Sequence, residues 1–172
     1  MEKNAVRYKW VLYISLMFVV MIFETTVLSR VKIFGAAPTH LLPYAVAVIA
    51  MLEGTTSGAL AGLCAGVISD CLLPIHDGFY TIVFVLCGIF ISFLCNLVFW
   101  KNYWTSLIYL AVTIFITRFI YYLFFYVIFG NGEVISLFFT LPAEFIATAI
   151  FTPVMYLLIV KIAKRAGLNQ ED

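Results

Sequence analysis

Polar residues interrupt this chain in sparse clusters, and between the clusters lie six apolar stretches at 10–28, 38–52, 55–73, 79–100, 105–129 and 135–160. A bilayer-crossing helix takes about 20 residues. The pattern therefore predicts one all-α integral membrane domain over 1–172 with six transmembrane helices, joined by short connectors. The second stretch is the short one: its uncharged core, Leu41 to Leu52, includes Pro43 and rises only about 18 Å, so it either crosses obliquely or re-enters. Glu53-Gly54 predicts a turn, with Thr55 or Thr56 as the cap of helix three and Pro74 as its stop. Lys101-Asn102-Tyr103 and Gly130-Asn131-Gly132 separate the later helices, and Pro153 predicts a kink in the sixth, freeing the Ala149 carbonyl for Thr148 or Thr152.

Composition agrees with the pattern. Of 172 residues, 65% are hydrophobic and 11% charged, against about 25% charged in a soluble domain. A net charge of +1 gives no basic surplus to neutralise phosphates, which argues against nucleic acid as a partner. The basic residues also set the orientation. Six spans place Lys3, Arg7, Lys9, Lys101, Lys161, Lys164 and Arg165 in the cytoplasm and only Arg30 and Lys32 outside, whereas five spans with a re-entrant second helix reverse the bias. Both termini are therefore expected to be cytoplasmic, with Trp10, Trp100 and Trp104 at the inner interface. The first stretch is too long for a signal-peptide core and lacks a small-residue cleavage site, so it reads as a retained helix.

Glycines and intramembrane charges are the remaining signals. Gly54, Gly58, Gly62 and Gly66 recur every fourth residue on helix three, and Asp70 continues the series. Such a ridge lets another backbone approach closely, which predicts helix three as the packing centre of the bundle, with a partner-helix docking face as the alternative use. Glu24, Asp70, Arg118 and Glu144 fall at similar depths, about 20 to 24 Å from the cytoplasmic helix ends. An arginine near mid-membrane costs about 2.5 to 3.5 kcal/mol on insertion scales, so Arg118 should turn inward to an acid. Glu144 on the adjacent helix is the first choice and Asp70 the second, with Tyr121 and Tyr122 one turn beyond for cation–π contact or phenolic hydrogen bonds. The belt reads either as a polar pocket or partner-binding centre, or as an internal ion-pair staple.

Chemistry beyond this is thin. Cys64, Cys71, Cys87 and Cys95 form no Cys-x-x-Cys pair, His40 and His76 lie in separate loops, and neither a metal site nor a cofactor is expected. His76-Asp77 lacks a nucleophile in a recognisable local motif, Asp70 follows Ser69 rather than glycine, and no phosphate-binding glycine loop is present. The chain does not read as an enzyme.

Glu24-Thr25-Thr26, Ile33-Phe34-Gly35, Pro38, Glu53-Gly54, the series Gly58, Gly62, Gly66 and Asp70, Asp77-Gly78, and Leu141-Pro142-Ala143-Glu144 together resemble the bacterial rod shape-determining MreD family over nearly the whole chain. Glu24 stands where that family usually has glutamine. The resemblance implies a fold similar to the substrate-binding S component of energy-coupling factor transporters, in the bacterial inner membrane. It also implies a place in the cell-wall elongation machinery that maintains cell shape and guides peptidoglycan synthesis. The implied partner is a single-span MreC-like protein, and through it MreB, RodA and a class B penicillin-binding protein. The expected role is thus a non-enzymatic scaffold working by helix contacts. The alternative is an S-component-like subunit for uptake of a vitamin-like molecule, and an intramembrane enzyme acting on lipid-linked precursors ranks last.

Overall fold

In a computed structural model the chain is all-helical over the described residues, which are 2–28, 40–73, 78–98, 102–129 and 134–165. Helix α1 (Glu2–Phe23) passes at Glu24 into a π-helical turn, Glu24–Leu28. It is followed by α2 (Leu41–Glu53), α3 (Thr55–Leu72), α4 (Phe79–Val98), α5 (Tyr103–Phe129), α6 (Val134–Ala149) and α7 (Thr152–Arg165). The expected breaks around Arg30, Lys32, Pro38, His76, Asp77, Trp100, Lys101 and Gly130-Asn131-Gly132 lie outside the described residues.

The short helix is the hub. Every residue of α2 from Leu41 to Met51 is buried, as a helix apolar on all sides must be. Around it α1, α3, α4, α5 and α7 close a ring in which each touches α2 and its own neighbours, while α6 packs on α5 and leads into α7. This corrects the expectation that α3 is the centre. Helix α3 buries one face, yet Leu60, Leu63 and Val67 on its other side are exposed.

What the glycines build is one close pair, α3 on α4. A Cβ at Gly62 would overlap the Phe84 carbonyl and sit 2.8 Å from the Val85 nitrogen, and one at Gly66 would sit 2.8 Å from the Thr81 nitrogen. Gly88 of α4 faces Gly58 in the same way, and a Cβ at Gly58 would also lie 2.6 Å from that of Ala50 on α2. Gly54 serves differently: nothing lies near its missing Cβ, and it adopts φ +90° as the single residue between α2 and α3. It is the N-cap of α3, and neither Thr55 nor Thr56 makes the expected cap, because the left-handed turn places them inside the helix.

Among the described residues four helices are long and apolar enough to cross a bilayer, Arg7–Thr26, Thr55–Leu72, Phe79–Leu97 and Tyr103–Phe124. The last apolar stretch is a bent pair rather than one helix, with Leu141–Ala149 and Thr152–Lys164 meeting at 55°, so the total is five if that pair forms one span. Pro153 cannot donate to the Ala149 carbonyl, and Thr152 Oγ1 donates to it instead at 2.8 Å. Helix α2 rises only about 20 Å, short of a 30 Å core, so the six comparable spans expected from the pattern do not appear in that form. The outer faces of the ring carry Val11, Phe18, Leu63, Leu86, Phe93, Ile108 and Phe119 exposed, a surface that suits lipid rather than water.

Gly62→Ala should therefore push α3 from α4 and cost about 1–3 kcal/mol. Leu63→Ala on the outer face of α3 should be nearly neutral. Thermal unfolding of the two purified variants in detergent checks the contrast, and equal midpoints would contradict the close pair.

Candidate functional site

A helix that starts inside a bundle must find partners for its first N–H groups, since no water is there to take them. For α2 they come from two other helices. The Leu41 N–H donates to Glu24 Oε1 on the turn ending α1, at 3.4 Å, and the His40 N–H donates to Thr148 Oγ1 on α6, at 3.1 Å. Pro43 stands in the first turn, where a missing N–H leaves no bond unmade.

The charged groups converge on the same end. Arg118 of α5 grips Glu144 of α6 with both arms of its guanidinium, Nε donating to Oε2 at 2.8 Å and Nη2 donating to Oε1. Glu144 is fully buried and the Arg118 side chain 23% exposed, so the pair sits at the inner wall of the ring with the arginine toward its edge. His40 Nε2 lies 3.2 Å from Glu144 Oε2. Because that oxygen belongs to a carboxylate already paired with arginine, the imidazole nitrogen is the donor. Thr148 completes the cluster by donating to the Glu144 backbone carbonyl at 2.7 Å while it accepts from His40.

Arg118 thus meets Glu144, the acid on the adjacent helix, and leaves Asp70 to another task. Asp70 accepts from the Tyr80 and Thr81 N–H groups, both at 3.0 Å, and from Thr81 Oγ1 at 2.6 Å. It caps the first turn of α4, where an acid is favoured by the helix dipole and by the unpaired N–H groups. Tyr80 packs its ring against Phe79 and Phe84, at 5.5 and 5.8 Å between centroids. Tyr121 packs edge-on against Phe79 at 5.8 Å between ring centroids, and Tyr122 is half-buried on α5. Among the predicted glycines, Gly58, Gly62 and Gly66 face α4 within the monomer and Gly54 stands apart at the α2–α3 turn.

A second cluster fixes the other end of α2. Glu53 accepts from Lys9 Nζ at 2.7 Å and from the Tyr13 hydroxyl at 2.6 Å, with the Lys9 and Glu53 side chains each 6% exposed. The last carbonyls of α2 are met from α4, by Ser92 Oγ on Ala50 at 3.1 Å and Cys95 Sγ on Met51 at 3.5 Å. Sequence reasoning counted Lys9 as a cytoplasmic flank and Glu53 as a turn residue, and it left His40 in a loop. Each is near the end of an apolar stretch, and nothing in local spacing pairs positions 44 or 104 residues apart.

Beside the start of α2 lies a cavity of about 210 Å³. Its wall takes Met21, Glu24 and Thr25 from α1 and its π turn, Leu42 from α2, Ser69 from α3, Tyr80 and Phe84 from α4, and Thr117 from α5, with His40 at its edge. Glu24 and His40 are shared between this cavity and the polar cluster. Among the described residues no group of three His, Cys, Asp or Glu side chains is placed to hold a metal, and the four cysteines are free thiols. Comparison with family models, curated proteins and solved structures returns no match.

Removing one partner of the buried pair isolates the other. Arg118→Leu should destabilise the protein by about 3–5 kcal/mol, and Arg118→Leu with Glu144→Leu should recover most of that loss. Unfolding midpoints of the wild type, both single variants and the double variant close the cycle, and additive losses would show that the pair is not coupled.

Proposed function

We propose that this chain is a non-enzymatic, multi-pass subunit of the bacterial cell-wall elongation machinery, similar to MreD, acting in the inner membrane by binding a single-span MreC-like partner. Through that partner it connects to MreB, RodA and a class B penicillin-binding protein, and so to cell shape. The observation that carries the reading is how the intramembrane charges are used. Arg118, Glu144, Asp70, Lys9 and Glu53 each bind a neighbouring helix, so the ionisable chemistry serves to fix the bundle, and binding is left to its apolar outer faces. A protein built in this way acts by holding other membrane helices in place.

The same reading has the chain crossing six times, with both termini in the cytoplasm and a fold like that of an S component. Support comes from how α2 runs along α1. Its first residues meet Glu24 and its last meet Lys9, positions separated along α1 by about 22 Å. Helix α2 therefore traverses most of the apolar layer inside a ring that shields its ends, and a bundle so arranged does not need the central helix to match the bilayer.

The cavity beside α2 favours a second reading, a small-molecule uptake subunit whose energy is supplied by another protein. Depletion in a rod-shaped host distinguishes the two. Rounding of the cells, with co-isolation of a single-span membrane protein, is expected; normal rods that require an added vitamin would overturn the assembly reading in favour of uptake.

A further inference from the structure

We infer that the outer face of α7 binds an anionic phospholipid, with Lys161 and Lys164 on its phosphate and the aliphatic residues one to two turns earlier along its acyl chain. The helix divides cleanly about its axis. Met155, Ile159 and Ala163, four residues apart, are buried, so positions 154, 157, 158, 161 and 164 turn away from the bundle. Val154, Leu157 and Leu158 are exposed there, and exposed Lys161 and Lys164 follow them. Along one stripe the surface thus changes from aliphatic to cationic within a single turn. Residues three apart on a helix stand about 5–6 Å from each other at Cβ, close enough for both ammonium groups to reach one phosphate.

Charge selects the headgroup. Among the described residues the ion pairs are Lys9–Glu53 and Arg118–Glu144, with His40 also on Glu144, so neither Lys161 nor Lys164 has a carboxylate partner. A zwitterionic headgroup would bring its own cation to two unneutralised ammonium groups, while an anionic one brings the net negative charge they lack. Aromatic rings mark the level. Trp104, Tyr103 and Tyr156 stand in a file with successive centroids 6.1 and 5.5 Å apart, and Trp104 is 76% exposed. Such rings favour the headgroup region, and Lys161 follows Tyr156 by about 7.5 Å of helix. A phosphate held by the two lysines therefore lies at the depth where a bilayer carries one. This inference goes beyond both functional readings and holds under either, since it needs only a bilayer around the helices.

Full-length protein reconstituted in phosphatidylcholine vesicles, with a trace of spin-labelled phosphatidylglycerol or phosphatidylcholine, forms the test. The spin-resonance spectrum separates lipid held at the protein surface from free lipid. Phosphatidylglycerol is expected to be held in preference, each lysine on the headgroup contributing roughly fivefold. Lys161→Gln and Lys164→Gln should each lower the preference by about that factor, and the double variant should remove it. Arg7→Gln, at an exposed cation on α1, is the control for diffuse attraction and should leave the preference nearly unchanged. Equal retention of the two lipids by the wild type would overturn the proposal, as would an Arg7→Gln loss equal to that of Lys161→Gln. So would displacement of the labelled phosphatidylglycerol by inorganic phosphate at constant ionic strength, which would assign the lysines to a free anion. If a variant does not fold, the comparison of the two lipids on the unaltered protein decides.

Discussion

A helix enclosed on every side has to satisfy its own ends within the protein, and most of the polar architecture here follows from that constraint on α2. Its first N–H groups take Glu24 and Thr148, its last carbonyls take Ser92 and Cys95, and the acid that ends it takes Lys9 and Tyr13. Each unsatisfied group would cost several kcal/mol where water is absent. The partners come from α1, α4 and α6, so satisfying one helix fixes the positions of three others.

Electrostatics and packing act at different levels of the bundle. At the start of α2 a buried carboxylate, Glu144, collects Arg118 and His40 from two different helices; around the middle, α3 and α4 meet through glycine with no side chains between them. The first contact depends on charge and direction, the second on dispersion at short range. Lipid offers helices no hydrophobic drive to associate, and these two means replace it.

Much of the membrane character could be read from residue order, because long apolar stretches and basic flanks are local features. The glycine ridge and the inward arginine were legible for a different reason: each carries a cost unless a particular neighbour relieves it, and the neighbour's chemistry follows from the cost. Arg118 needed an acid, and Glu144 on the next helix supplied one. Asp70 had the same apparent need for a cation, yet it is satisfied by backbone N–H groups of α4, which spacing along the chain does not reveal. The hub itself was misjudged because its length was the most visible feature of α2, while the property that decides its place is the lack of any polar face. His40 and the Lys9–Glu53 pair were missed because their partners are distant in sequence and their own surroundings look like helix ends.

The link between α2 and α3 shows where the enclosed helix is open to change. Gly54 is the single residue between them, at φ +90° with nothing near its missing Cβ. Its demand is therefore one of backbone angle and not of room, since an L side chain would fit the space yet resist the angle. A corner of the molecule that looks empty is thus as constrained as the glycine seam, for the opposite reason.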